Sequence, residues 1–142
     1  MTGELDEAIE REATRLRSAL DRIDRVHWEA HHIREFPRGS CGHCAEMVGR
    51  FLREQLGIEA TYVSSNFRMD HGNQGHAWVE YDGLVIDISA DQFGMPPVIV
   101  SRRSAFHQTG IGTDRIPLNR EGGWWSTNCN RVWKSAMLLI EP

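Results

Sequence analysis

Residues 76–88, HAWVEYDGLVIDI, decide the fold that the sequence predicts. The pair Asp82-Gly83 lies between two arms of alternating pattern, and this arrangement favours a β-hairpin closed by a type I′ turn of two residues. A two-residue turn fixes the register of the arms, so Tyr81 pairs with Leu84 and each pair before it follows in step. The sequence therefore predicts two antiparallel strands whose facing residues are known one by one.

The predicted register divides the hairpin into two faces of different character. His76 and Asp87 share one face as diagonal neighbours, with Cα atoms roughly 7–8 Å apart, which side chains can bridge. The other face consists of five aliphatic residues and one tyrosine, namely Ala77, Val79, Leu84, Ile86, Ile88 and Tyr81. The apolar face must be buried against the core. His76 and Asp87 therefore lie together on the other face of a strand pair whose remaining residues serve packing.

A thiol marks the start of the second predicted helix. Residues 39–45, GSCGHCA, form a turn that leads into an apolar-periodic run, and Ser40 is the candidate N-cap of a helix over about 41–56 with Gly57 as its stop. Cys41 is then the first residue of the helix, where the helix dipole and a nearby imidazolium both favour the thiolate. Backbone N–H groups at the same helix start are candidates to hold a developing oxyanion.

These residues together predict a catalytic triad. Cys41 would attack, His76 would act as base and then acid, and Asp87 would orient the imidazole ring. Taken singly, a cysteine at a helix start is usually an inert small hydrophobe, and a histidine on a strand is usually a partly buried structural residue. The shared face and the helix-start position favour the catalytic interpretation. Asp91 stays open as an alternative orienting acid.

The remainder of the chain predicts one α+β domain over residues 1–142, with helices packed on an antiparallel sheet. A long amphipathic helix over about 4–31 carries an apolar stripe that either covers the sheet or forms a dimer seam, and the first interpretation is preferred. The catalytic core is placed at about 36–100. Within it the sequence predicts a strand at 58–64, a mobile loop at 66–75 and a short strand at 98–100.

Residues 101–142 give the weakest pattern. The stretch to residue 130 is rich in glycine and is predicted to be irregular, with Trp124 and Trp125 as its anchors. Residues 132–140 are predicted to form a closing strand, although residues 134–139 also suit a helix.

Composition excludes several classes of protein. The 142 residues carry a formal net charge of −4, so nothing indicates nucleic acid as a partner. No apolar run suits a membrane span, and the acidic N-terminus lacks the apolar core of a signal peptide, so a cytoplasmic location is expected. Three cysteines are an odd number and too few for a disulfide scaffold. No cofactor is predicted, and a peptide or protein is the expected substrate.

The motifs resemble the transglutaminase-like branch of the papain-fold cysteine enzymes. The resemblance covers residues 36–100 and is carried by FPRG at 36–39, the Cys41 helix start, GHAWVE at 75–80, VIDI at 85–88 and ISADQF at 88–93. A Cys, His, Asp triad occurs in that order in the branch. The pattern is similar to uncharacterised bacterial members, and more distantly to the leader peptidases of lasso-peptide pathways. The resemblance implies a papain-like, transglutaminase-like α+β fold and thiol-dependent acyl transfer, most simply amide hydrolysis.

The chain departs from the papain pattern at two positions. In papain-type proteases the second cysteine of a C-G-x-C signature acts, which in this chain is Cys44. The short spacing between Cys41 and His76 favours the transglutaminase-like alignment and Cys41 instead. Papain-type proteases also use an upstream glutamine as an oxyanion donor, and Arg38 stands in the corresponding place here. The oxyanion donor is therefore left open.

Three other classes of function remain. Cys-Gly-His-Cys is also the active-site sequence of disulfide isomerases, although a thioredoxin-like domain needs a strand directly before it and a βαβ frame. A zinc site is a second alternative, with ligands taken from Cys41, His43, Cys44 and the helical pair His27 and His31. The paired spacings of a four-ligand site are missing, however, and Cys129 stands alone. The third is a non-catalytic binding module of the same fold, with a peptide groove lined by tryptophans (Trp78, Trp124 and Trp125).

Overall fold

The predicted hairpin lies at the centre of the sheet. In the computed structural model, which describes residues 3–24, 36, 40–118 and 122–141, the five strands have the order β4-β3-β2-β1-β5, and every pairing is antiparallel. The described elements are α1 (Gly3–Asp21), α2 (Cys41–Leu56), β1 (Thr61–Met69), β2 (Gly72–Tyr81), β3 (Leu84–Asp87), a 3₁₀ helix (Ala90–Phe93), β4 (Ile99–Ser101), α3 (Ala105–Gln108), β5 (Ile111–Pro117), α4 (Gly123–Asn128) and α5 (Asn130–Leu139). The α+β class with an antiparallel sheet is confirmed.

The register of the hairpin between β2 and β3 is as predicted. Tyr81 pairs with Leu84 and Val79 with Ile86. Asp82 and Gly83 have φ angles of 50° and 79°, so both turn residues adopt the left-handed conformation that a type I′ turn requires. Only glycine accepts this conformation at little cost, and aspartate is among the few other residues that tolerate it.

Helix α2 also begins and ends where the sequence predicts, at Cys41 and Leu56. Gly57 adopts a φ of 68° and returns its N–H to the carbonyl of Arg53, which closes the last turn. Ser40 occupies the N-cap position, but its side chain does not cap the helix. Its hydroxyl lies 3.7 Å from the Cys44 sulfur instead.

The sheet is covered on both sides. The larger core joins the sheet to α1, α2 and α5, and the predicted aliphatic face of the hairpin lies in it. A smaller cluster on the other side comprises Val63, Phe67, Trp78 and Val85, with Phe106 packed against it. Trp78 and Trp125 are both buried, although Trp78 also lines a small cavity with Val85 and His107.

Helix α1 ends earlier than the sequence predicts. It spans Gly3–Asp21, and the chain then turns through i→i−3 bonds from Arg22 to Ala19 and from Ile23 to Leu20. The turn carries Ile23 into the core, where it is 5% exposed. The part of the predicted helix beyond residue 24 lies outside the described residues. Leu16 and its neighbours on the apolar stripe are fully buried within the chain, which matches a packed helix rather than a dimer seam.

The predicted mobile loop at 66–75 is wrong. Strand β1 begins at Thr61 rather than at residue 58 and runs on to Met69, which pairs with Gly72 across a second two-residue turn. The stretch looks polar because its outward positions are polar. Its inward residue, Phe67, is 1% exposed and anchors the smaller core.

Two predictions for the C-terminal part are also wrong. The preferred closing strand at 132–140 is wrong and the alternative helix is right, because these residues belong to α5, whose buried residues Val132, Trp133 and Ala136 follow helical spacing. Residues 101–130 are not irregular throughout, since they contain α3, β5 and α4. Strand β5 pairs with β1 at the edge of the sheet and is almost entirely exposed, so it has no apolar alternation. Trp125 is an anchor as predicted, packed edge-on against Trp133.

None of the described helices has the length and apolar character needed to cross a membrane.

Candidate active site

The three predicted triad residues come together. Cys41 is the first residue of α2, His76 lies in β2 and Asp87 ends β3. Cys41 and His76 line one cleft of about 270 Å³, with the rest of its described wall taken from β1, β2 and β5. The other lining residues are Tyr62, Ser64, Ser65, Asn66, Gly75, Ala77 and Gly112.

Asp87 holds the far side of the imidazole ring. His76 Nε2 lies 2.6 Å from Asp87 Oδ2, and both side chains are almost completely buried. The other carboxylate oxygen, Oδ1, accepts the backbone N–H of Ser89 at 2.9 Å. The contact between His76 and Asp87 fixes the orientation of the imidazole ring, which is the role of the acid in a catalytic triad.

The ring is also held by aromatic neighbours. Phe93 meets it edge-on with the centroids 4.9 Å apart, and Trp78 stacks on it at 5.8 Å. Gln92 approaches Nδ1, with its amide nitrogen 3.1 Å away. An amide that rotates about its last bond can donate to a neutral ring or accept from an imidazolium. Gln92 belongs to the ADQF stretch, but nothing in the sequence pattern gave it this role.

Electrostatics favour a charged ring beside the thiol. Burial alone disfavours the imidazolium, but the hydrogen bond that the ring donates to Asp87 and the neighbouring Cys41 outweigh it and raise the pKa of His76 from 6.5 to about 9. Burial also opposes ionisation of Asp87, yet the hydrogen bonds from His107 and His76 lower its pKa to about 2. The ring thus retains its proton at neutral pH within hydrogen-bonding reach of the Cys41 thiol.

A second histidine shares the same carboxylate, and the sequence did not predict it. His107 Nε2 lies 2.6 Å from Asp87 Oδ2, and its Nδ1 contacts the hydroxyl of Ser104. Ser104 is the N-cap of α3 and accepts the N–H of His107. The Ser-x-x-His spacing of a capped short helix was the available local signal, but it gives no hint of Asp87, which lies 20 positions away along the chain.

Three donor atoms here lie close enough to bind a metal. Those of His76, Asp87 and His107 lie within 4.8 Å of one another, and all three residues are buried. The 2.6 Å separations from one oxygen to both nitrogens are hydrogen-bond distances, and each ring nitrogen of the two histidines has a polar partner. A hydrogen-bonded network explains these distances without a metal. The zinc ligands suggested around His43 do not form such a group within the described ranges, and His27 and His31 lie outside them.

The two neighbouring cysteines have different surroundings. Cys41 is half-buried and lines the cleft, whereas Cys44 has no exposed surface. Burial raises the pKa of Cys44 to about 12, although the hydroxyl of Ser40 acts in the opposite direction. Cys44 is therefore a packed thiol, in the environment that its helix position predicts.

Asp91, the alternative acid, is engaged elsewhere. Its carboxylate forms a two-point ion pair with Arg17 of α1, at 2.9 and 2.7 Å. Arg17 also donates to the carbonyl of Ile88 at 2.8 Å, so it ties α1 to the segment that leads from β3 into the 3₁₀ helix. Arg38, which stands where papain-type proteases have their glutamine, lies outside the described residues.

No protein-family model, curated protein or solved structure matches the chain.

Proposed function

We propose that the chain is a cysteine enzyme of the papain-like, transglutaminase-like kind that transfers acyl groups from a peptide or glutamine-type amide, most simply to water. The single observation that carries the proposal is the cleft shared by Cys41 and His76. A thiol at a helix start, an imidazole within its reach and a buried carboxylate on the far ring nitrogen are the parts that covalent acyl transfer needs. The motif resemblance over residues 36–100 supports the same assignment.

The chemistry runs in two halves. The reactive form pairs the protonated His76 ring with the thiolate of Cys41, and the thiolate attacks the amide carbonyl carbon to form a C–S bond. The C–N bond then breaks as the imidazolium gives its proton to the leaving amine, which leaves a thioester on Cys41. Water, deprotonated by His76, attacks the thioester, releases a carboxylic acid and restores the thiol. An amine in place of water would give transamidation by the same steps.

Asp87 serves the reaction through His76. Its contact with Nε2 leaves Nδ1, which Gln92 also approaches, as the ring nitrogen on the side away from the carboxylate. Its charge stabilises the imidazolium that later gives its proton to the leaving amine. The backbone N–H groups at the start of α2 supply candidate oxyanion donors, because the first turn of a helix leaves them without intrahelical partners.

Dithiol redox chemistry is the main alternative. In its favour, Cys41 and Cys44 stand at the first and fourth positions of a helix, one half-buried and the other buried. Against it, all pairings of the five described strands are antiparallel, so they provide no parallel βαβ frame. A reversible Cys41–Cys44 disulfide that turns over insulin would favour the redox function.

The proposal is tested in two stages. Iodoacetamide at pH 7.5 should alkylate Cys41 much faster than Cys129, whose side chain is fully buried, and peptide mapping by mass spectrometry locates the adduct. Libraries of peptides and glutamine amides are then screened with the unmodified chain and with Cys41→Ala. Release of amine or ammonia that requires Cys41 supports the proposal. A Cys41 that reacts no faster than Cys129 would instead favour a non-catalytic binding module.

A further inference from the structure

The cleft beside Cys41 has a floor of small residues that the fold itself does not explain. Gly75 lines the cleft next to His76. Its φ angle is not positive, so its backbone conformation suits any residue. A Cβ atom placed on it would meet only the Asn66 Oδ1 atom, at 3.8 Å, which is ordinary van der Waals contact. Neither conformation nor packing within the protein calls for glycine here, so what the glycine preserves is open space in the cleft.

Asn66 occupies the floor between two glycines. A Cβ atom on Gly112, across the cleft from Gly75, would lie 3.9 Å from the Asn66 Nδ2 atom. The carboxamide of Asn66 is exposed, and neither it nor the hydroxyl of Ser64 has a hydrogen-bond partner in the part of the chain that the structure describes. By contrast, Ser65 is already paired with Thr113. Two polar groups beside the thiol thus remain available to a bound molecule.

The chemistry of the wall restricts what that molecule is. Among the described residues that line the cleft there is no aspartate, glutamate, lysine or arginine. A hydroxyl and a carboxamide both donate and accept hydrogen bonds, which suits a neutral amide. A cationic group would lose hydration there without gaining a counter-ion from the lining residues, because, apart from the reacting thiol, the one described lining residue that carries a charge is the protonated His76.

We propose that Ser64, Asn66 and Gly75 form the subsite for the acyl part of the substrate, and that it accepts a reacting carbonyl carried on an unbranched methylene carbon. The main chain of a glycine residue and the side chain of glutamine share this feature. A β-branched residue in the same place would bring its side chain against the Asn66 amide. The inference rests on the proposed function, because it takes Cys41 as the attacking group.

Three diazomethylketones test the inference, since they alkylate a reactive thiol without needing the natural substrate. The thiolate of Cys41 forms a C–S bond to the diazo-bearing carbon, dinitrogen leaves, and the thiol proton ends on that carbon. The acyl groups are acetyl-glycyl-glycine, acetyl-glycyl-valine and the side-chain acyl group of acetyl-glutamine amide. We expect the glycine probe, the glutamine side-chain probe or both to label Cys41 at least tenfold faster than the valine probe, and the faster of the two identifies the substrate class.

Variants distinguish an effect on binding in the subsite from an effect on the reactivity of the Cys41 thiol. Asn66→Ala should slow the preferred probe at least fivefold, and Gly75→Ala should slow it as well, while iodoacetamide alkylation of Cys41 stays within twofold of the original rate. Asn73→Ala is the matched control for Asn66→Ala, because Asn73 is an exposed asparagine of the neighbouring strand β2 that does not line the cleft. Circular dichroism checks that each variant is folded.

The outcomes are distinguishable. An iodoacetamide-reactive Cys41 that takes the valine probe as fast as the other two, or an Asn66→Ala variant with unchanged labelling, overturns the subsite and leaves the proposed function standing. A Cys41 that reacts with iodoacetamide no faster than Cys129 refutes the proposed function and this inference together.

Discussion

Replacing Asp87 by Asn should remove the charge that keeps His76 protonated. In the native chain the pKa of His76 is raised from 6.5 to about 9, and the hydrogen bond to Asp87 is the largest of the influences that raise it, followed by the hydrogen bond with Cys41 and the charge of Asp87. At ~1.36 kcal/mol per pKa unit, this shift corresponds to roughly 3 kcal/mol in favour of the imidazolium. An asparagine keeps the size of the side chain but carries no charge. Burial of the ring, which lowers the pKa of His76, is then no longer offset by a neighbouring carboxylate.

The expected result is a pKa of His76 at or below its ordinary value. At pH 7.5 a ring with a pKa near 9 is almost entirely protonated, whereas one with a pKa of 6.5 is protonated in only about a tenth of molecules. NMR titration of histidine labelled with ¹³C at Cε1 measures this directly, and the His76→Gln variant assigns the signal. A His76 that still titrates near 9 in the Asp87→Asn variant would refute the reasoning.

The same change alters stability with a definite dependence on pH. A raised histidine pKa contributes stability that is fully present below 6.5 and is lost as the pH rises through about 9. A lowered pKa of Asp87 contributes stability that is present above its ordinary value of 3.8 and is lost as the pH falls through about 2. The difference in the free energy of unfolding between the native chain and Asp87→Asn should therefore be largest between about pH 4 and 6.5. Urea unfolding at pH 5.5, 7.5 and 9.5 tests this, and a difference that grows toward pH 9.5 would contradict it.

Three further changes test other parts of the site. Cys44→Ala should lower the free energy of unfolding by about 1–2 kcal/mol and keep the reactivity toward iodoacetamide. Cys41→Ala should stay folded and lose that reactivity. An adduct found by mass spectrometry on Cys44 alone would show that Cys44, not Cys41, is the reactive thiol. His107→Ala should lower the free energy of unfolding by about 1–3 kcal/mol, measured in urea, because it leaves buried polar groups without a partner. The control His71→Ala, at an exposed position, should change it by less than about 0.5 kcal/mol. Equal effects would show that the hydrogen bonds of His107 do not stabilise the fold. Arg17→Met should lower the free energy of unfolding by about 3 kcal/mol. It should also slow alkylation of Cys41, because Arg17 holds the segment that carries Gln92 beside the His76 ring; unchanged stability and reactivity would show that this ion pair is dispensable.

The parts of the fold that the sequence predicts correctly are those with a local rule. The two residues Asp82 and Gly83 set the register of a whole hairpin, because a type I′ turn admits few residues and one geometry. Helix α2 carries a clear 3.6-residue period and a glycine stop at position 57. His76 and Asp87 could be paired in advance because the register follows from that turn.

The errors arise where structure depends on distant partners. Strand β5 is exposed along nearly its whole length and exists through its pairing with β1, so no apolar alternation marks it. The contact of His107 with Asp87 needs α3 to fold back over the sheet, which no local pattern encodes. The choice between Asp87 and Asp91 likewise depends on Arg17, which lies 74 positions before Asp91 and pairs with it.

The buried carboxylate links the stability of the fold to its proposed chemistry. Asp87 is 1% exposed, and a carboxylate so deeply buried stays ionised only if its oxygens are satisfied. Its donors come from three places, namely the ring of His76 in β2, the ring of His107 in α3 and the backbone of Ser89 after β3. The network that orients the His76 ring is therefore also a junction between elements. It follows that a loss of activity in an Asp87 variant has two sources, and only comparison with Cys41→Ala, which removes the chemistry and leaves the junction intact, separates them.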